Sequence, residues 1–76
     1  MNAQFECYKK ENGTYTAMVQ IDDNFATLPN VEFRDVVRLL NSYLAVDGNL
    51  PITVKPTNID SSKTRLLESL VESYRK

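Results

Sequence analysis

The spacing of apolar positions changes character several times along the chain. Residues 4–10, Gln-Phe-Glu-Cys-Tyr-Lys-Lys, alternate apolar and polar side chains. Residues 14–21, Thr-Tyr-Thr-Ala-Met-Val-Gln-Ile, are rich in side chains that suit a pleated surface. Glu11-Asn12-Gly13 stands between them. Asn-Gly tolerates positive φ at both positions, as a type I′ turn requires, so the pattern predicts a β-hairpin over residues 4–21. Alternate residues of a strand share a face. Phe5 and Cys7 therefore group with Tyr15, Ala17, Val19 and Ile21 as one buried layer. The opposite face carries Gln4, Glu6, Thr14, Thr16 and Gln20, with Tyr8 and Met18 as apolar islands.

Asp22-Asp23-Asn24 reads as a turn, and Phe25-Ala26-Thr27-Leu28 as a short third strand stopped by Pro29-Asn30. Asn30 is then placed to cap a helix. From Val31 the period becomes helical: Phe33, Val36, Val37, Leu40 and Leu44 follow one face, and Leu39, Tyr43 and Val46 widen it. The helix is expected over residues 31–46, with Gly48 as a left-handed cap after Asp47. Residues 50–55, Leu-Pro-Ile-Thr-Val-Lys, read as a strand with Pro51 at its start and Pro56 as its limit. Asp60-Ser61-Ser62 opens a second helix, with Leu66, Leu67, Leu70, Val71 and Tyr74 on one side.

The element order β-β-(β)-α-β-α, with short connections throughout, predicts a single α+β domain over residues 1–76. The expected architecture is an antiparallel sheet of three or four strands with two helices on one face. Strand order stays open, because the strand at residues 50–55 suits either edge of the hairpin. A chain of 76 residues has room for one core only.

Composition narrows the chemistry. Histidine is absent, which removes the side chain most used for proton transfer near neutral pH. One cysteine, Cys7, allows neither an internal disulfide nor a cysteine-rich zinc site. Cys7 lies mid-strand on the predicted core face, where a thiol acts as a small hydrophobe. The two glycines are too far apart for a phosphate-binding loop. Asp22, Asp23 and Asn24 offer oxygen ligands but lack the spacing and closing glutamate of a calcium loop. Asn12-Gly13-Thr14 matches a glycosylation sequon, and the turn accounts for the same residues. No cofactor is expected.

Nine Lys and Arg face ten Asp and Glu, so no general nucleic-acid footprint is present. The first ten residues hold no apolar run, and no stretch reaches the roughly 20 apolar residues that span a bilayer. The expectation is a cytoplasmic protein without membrane contact.

The segment Gly13-Thr14-Tyr15-Thr16-Ala17-Met18-Val19 and the order of the first five elements resemble the N-terminal half of HicB-type antitoxins. Asp22-Asp23-Asn24 and Leu28-Pro29-Asn30 stand where that family usually has glycine. The resemblance implies a small fold that binds protein partners.

The resulting expectation is a non-enzymatic protein that works through protein–protein contact, as an inhibitor, an adaptor or an antitoxin-like neutraliser of phage or mobile-element type. Its contact residues are expected among Tyr8, Met18, Lys9, Lys10, Asp22 and Asp23. The alternative is a nucleic-acid-binding module in which Tyr8 stacks a base and Lys9 and Lys10 meet the backbone. A homodimer is favoured over a monomer by a small margin, because sheet edges and an uncovered face both gain from burial.

Overall fold

A computed structural model describes residues 2–75. Strands β1 (Ala3–Lys9), β2 (Tyr15–Ile21) and β3 (Asn24–Val31) lead into helix α1 (Phe33–Val46). Strand β4 (Ile52–Thr57) and helix α2 (Ser61–Tyr74) follow. The sheet order is β3-β2-β1-β4. The hairpin pairs are antiparallel, but β4 runs parallel to β1, so the sheet is mixed rather than wholly antiparallel. Helix length explains the direction. The 14 residues of α1 rise about 21 Å, close to the length of a seven-residue strand. The helix thus returns the chain to the end of the sheet where β3 began, and the next strand must run the same way as β3. Parallel alignment with β1 follows, since β1 and β3 flank β2 and share a direction.

Both helices cover one face. Phe5, Cys7, Ala17 and Val19 of the sheet are essentially inaccessible, as are Val36, Leu40 and Leu44 of α1 and Leu67 of α2. The α1 stripe is the predicted one, with two corrections at the margins of the helices. Val46, the last residue of the helix, is 89% exposed. Leu66 is 51% exposed, one residue away from fully buried Leu67. Ala3 and Leu50, outside the expected core, are buried in it.

Local geometry revises several boundaries. The first hairpin does not use a type I′ turn. Gly13 N–H donates to Lys10 O (3.0 Å) and Lys10 N–H to Thr14 O (2.8 Å), and only Gly13 has positive φ (+87°). That is a type I turn followed by a glycine bulge, a three-residue loop. Asn12 keeps ordinary φ and accepts from the Thr14 amide and hydroxyl instead. β3 does not stop at Leu28 but continues through Pro29 to Val31. A bulge opposite Tyr15 and Ala17 absorbs one extra residue, and Asn30 takes the left-handed conformation there (φ 55°). Asn30 is therefore not the helix cap, and α1 begins at Phe33 rather than Val31. Glu32 is the N-cap, with its amide donating to Asp35 Oδ2 (3.2 Å).

Gly48 is not left-handed either. Its place is a close approach instead: a Cβ there would lie 3.1 Å from the Tyr74 carbonyl oxygen, a tight contact that glycine avoids. The end of α2 packs against this loop, and Tyr74 Oη donates to Asn41 Oδ1 (2.6 Å) to tie α2 to α1. Pro56 does not end β4. It pairs with Cys7 inside the strand, because β4 is an edge strand and the proline nitrogen faces away from β1.

Asp60 caps α2, accepting from the Lys63 amide (2.8 Å) and the Ser62 hydroxyl (2.8 Å). These hydrogen bonds, the Lys63 amide first, hold its carboxyl down to about 2 from an ordinary 3.8. A carboxyl depressed on folding adds stability above its unfolded pKa, and that contribution is lost as pH falls through the folded value. Asp60→Asn retains a capping oxygen but not the charge. Its stability is expected to fall less steeply than the parent's between about pH 4 and pH 2, read by urea denaturation across that window.

Candidate functional site

The helices leave the other face of the sheet bare. Register places Gln4, Glu6 and Tyr8 of β1 beside Gln20, Met18 and Thr16 of β2, and β4 adds Thr53, Lys55 and Thr57. On β3, Phe25 lies opposite Gln20 and Thr27 opposite Met18. Tyr8 is 46% and Phe25 63% exposed. Glu6, Tyr8, Thr16, Met18 and Thr27 line a shallow depression of about 180 Å³ near the centre of this face. Tyr8 and Met18 are thus brought together as the sequence suggests. Phe25 is a third large apolar side chain on the face. The alternation of Phe25-Ala26-Thr27-Leu28 carries that signal, and the pairing with β2 settles which face Phe25 takes.

Thr16 is the buried polar residue of this surface among the described residues. It is 93% buried, and its Oγ1 has no hydrogen-bond partner. A buried hydroxyl without a partner costs more than an equally shaped methyl. Thr16→Val is β-branched and nearly isosteric, and it is expected to stabilise the fold by about 1 kcal/mol. Urea denaturation would show the midpoint moving up with unchanged slope. A downward shift would mean that the hydroxyl is satisfied by water or backbone.

The other four candidate residues are elsewhere. Lys9 pairs with Tyr15 and alternates with Tyr8, so it belongs to the opposite face of β1. Lys10 lies in the hairpin loop, with Nζ donating to Asn30 Oδ1 (2.6 Å). Asp22 and Asp23 form the β2–β3 turn at the far end of the sheet, six residue steps and about 20 Å along β2. Asp22 has positive φ (52°) and exchanges hydrogen bonds with Asn2 in both directions, closing the β1–β2 ladder. Its carboxylate is occupied by local structure. Asp23 is exposed beside it.

Cys7 is 1% exposed, and burial pushes its thiol up to about 11, far from nucleophilic readiness at neutral pH. Among the described residues, no three Cys, Asp or Glu side chains come together in a way that could hold a metal ion. No helix among them is long and apolar enough to cross a membrane. Comparison of the chain with protein-family models, with curated proteins and with solved structures finds no match. The likeness to HicB-type antitoxins accordingly rests on the segment from Gly13 to Val19 and the element order alone.

Proposed function

We propose that this chain is a small non-catalytic binding protein that acts on a protein partner through its uncovered sheet face, as an inhibitor, adaptor or antitoxin-like neutraliser. One observation carries the reading. Tyr8 and Met18 line a shallow depression on a face that no helix covers, among Gln and Thr side chains, and the register puts exposed Phe25 on the same face. Aromatic and Met side chains with few charges are the composition of an interface centre. Glu6 and Lys55, aligned across β1 and β4, balance each other, so the face carries no net field to draw a polyanion. Lys9 and Lys10 do not join Tyr8, which weakens the nucleic-acid alternative.

Photocrosslinking in producing cells tests this reading. A photoreactive phenylalanine is placed at residue 8 or 18, and at exposed residue 69 on α2 as the control. Protein adducts of one discrete mass are expected from residues 8 and 18 and not from residue 69. Equal adducts from all three positions, or adducts to nucleic acid alone, would overturn it.

A further inference from the structure

The two edges of the sheet differ in what their backbones leave unpaired. Hydrogen-bonded pairs alternate along an antiparallel ladder. The bonds of Lys10 N–H to Thr14 O and Asp22 N–H to Asn2 O fix the phase at both ends of β1–β2: even-numbered residues of β2 bond β1, and odd-numbered ones bond β3. Asn24, Ala26 and Leu28 of β3 therefore bond β2, while the N–H and C=O of Phe25 and Thr27 point outward. No charged residue occurs in β3.

The same phase sends the backbone groups of Ile52, Val54 and Pro56 outward on β4. That edge is closed at Ile52 and lacks a donor at Pro56, so that Val54 is the residue left with both groups outward. Ile52 N–H donates to Leu50 O (2.7 Å), Ile52 O accepts from Arg75 Nη2 (3.3 Å), and Pro56 has no N–H. Prolines and cationic side chains are common devices for blocking an edge. On β3 the corresponding protection, Pro29 and the bulge at Asn30, begins only after Thr27.

We propose that the open half of β3 pairs antiparallel with β3 of a second copy, joining two sheets into one of eight strands. A two-fold axis at Ala26 sets Phe25 opposite Thr27 of the other copy, and Thr27 opposite its Phe25. The outward N–H and C=O groups of both residues in both copies are then satisfied by four backbone hydrogen bonds. The same register sets Leu28 opposite Asn24 of the other copy, on the helix side. Asn24 borders a groove of about 270 Å³ that Val19, Ile21, Phe25, Ala26 and Tyr43 also line. Each groove thus receives the half-buried Leu28 of the other chain. A neutral strand can lie against its own copy without like charges meeting. The pairing uses an edge, not the face invoked for partner binding, and does not depend on that reading.

Sedimentation equilibrium over the micromolar range decides the matter. The wild-type mass is expected to rise with concentration from 8.7 kDa toward twice that value. Thr27→Pro removes an outward N–H that β2 does not use, and should weaken association about 30-fold, the equivalent of two lost backbone hydrogen bonds. Met18→Lys, on the bare face, should leave association intact. A wild-type mass that stays at 8.7 kDa overturns the proposal. So does a dimer lost with Met18→Lys but kept with Thr27→Pro. If Thr27→Pro fails to fold, amide exchange of the wild type gives the answer. Phe25 and Thr27 should become protected as concentration rises while Val54 does not; unchanged Phe25 and Thr27 amides reject the pairing.

Discussion

Phe5→Ala is expected to remove a large share of the protein's stability. Phe5 sits on the inward face of β1, an interior strand of the sheet, and has no accessible surface. Its neighbours in register are Val19 of β2 and Val54 of β4, so its ring bridges the antiparallel hairpin to the parallel strand. Truncating a buried Phe to Ala costs about 3–5 kcal/mol, the transfer of the ring plus the cavity it leaves. A domain of this size has roughly 4–11 kcal/mol of stability to lose. The cavity lies in the buried layer between sheet and helices, which cannot close over it without breaking other contacts. Urea denaturation should show the midpoint falling sharply with little change in slope. A loss below about 1 kcal/mol would mean that the layer between sheet and helices is not packed as described.

Leu67→Ala and Leu66→Ala, one residue apart in α2, should have very unequal consequences. Leu67 is wholly buried and Leu66 is half exposed. The first substitution is expected to cost about 3 kcal/mol and the second less than about 1, both read from urea denaturation. The contrast tests whether α2 is part of the core or an appendage reserved for a partner. Leu67 and Val71, four residues apart, are the two residues of α2 that reach the core fully. If α2 were docked loosely, both substitutions would be nearly neutral and the contrast would vanish. The polar tether from Tyr74 to Asn41 and the close approach at Gly48 argue that it is held at its far end as well.

Leu66 also shows where pattern reading stops. Five apolar residues, Leu66, Leu67, Leu70, Val71 and Tyr74, span more arc than the sheet and α1 can cover. Periodicity identifies the stripe but not its centre. Tyr8 and Met18 were legible as a pair because strand alternation is a rigid two-residue rule. Lys9 was grouped with them by adjacency in sequence, and the same rule puts it on the other face. Asp22 was legible as a turn residue. Its role in closing the ladder at Asn2 involves a residue 20 positions away, which no local pattern carries.

The elements themselves were determined locally. Two alternating segments around Asn-Gly, one helical stripe ending near Asp-Gly and a second stripe behind Asp-Ser-Ser locate the first two strands, both helices and the core face. Burial of one face needs little more than the right period. Tertiary structure decided what local periodicity does not encode. It chose the glycine-bulge turn over type I′, because the pairing of Lys9 with Tyr15 leaves a loop too long for a two-residue turn. It carried β3 past Pro29 and β4 through Pro56, because an edge strand can hold a proline whose nitrogen faces outward. It placed β4 beside β1 and parallel to it, because α1 returns the chain to the end of the sheet where β3 began, and the next strand then runs the same way as β3 and β1.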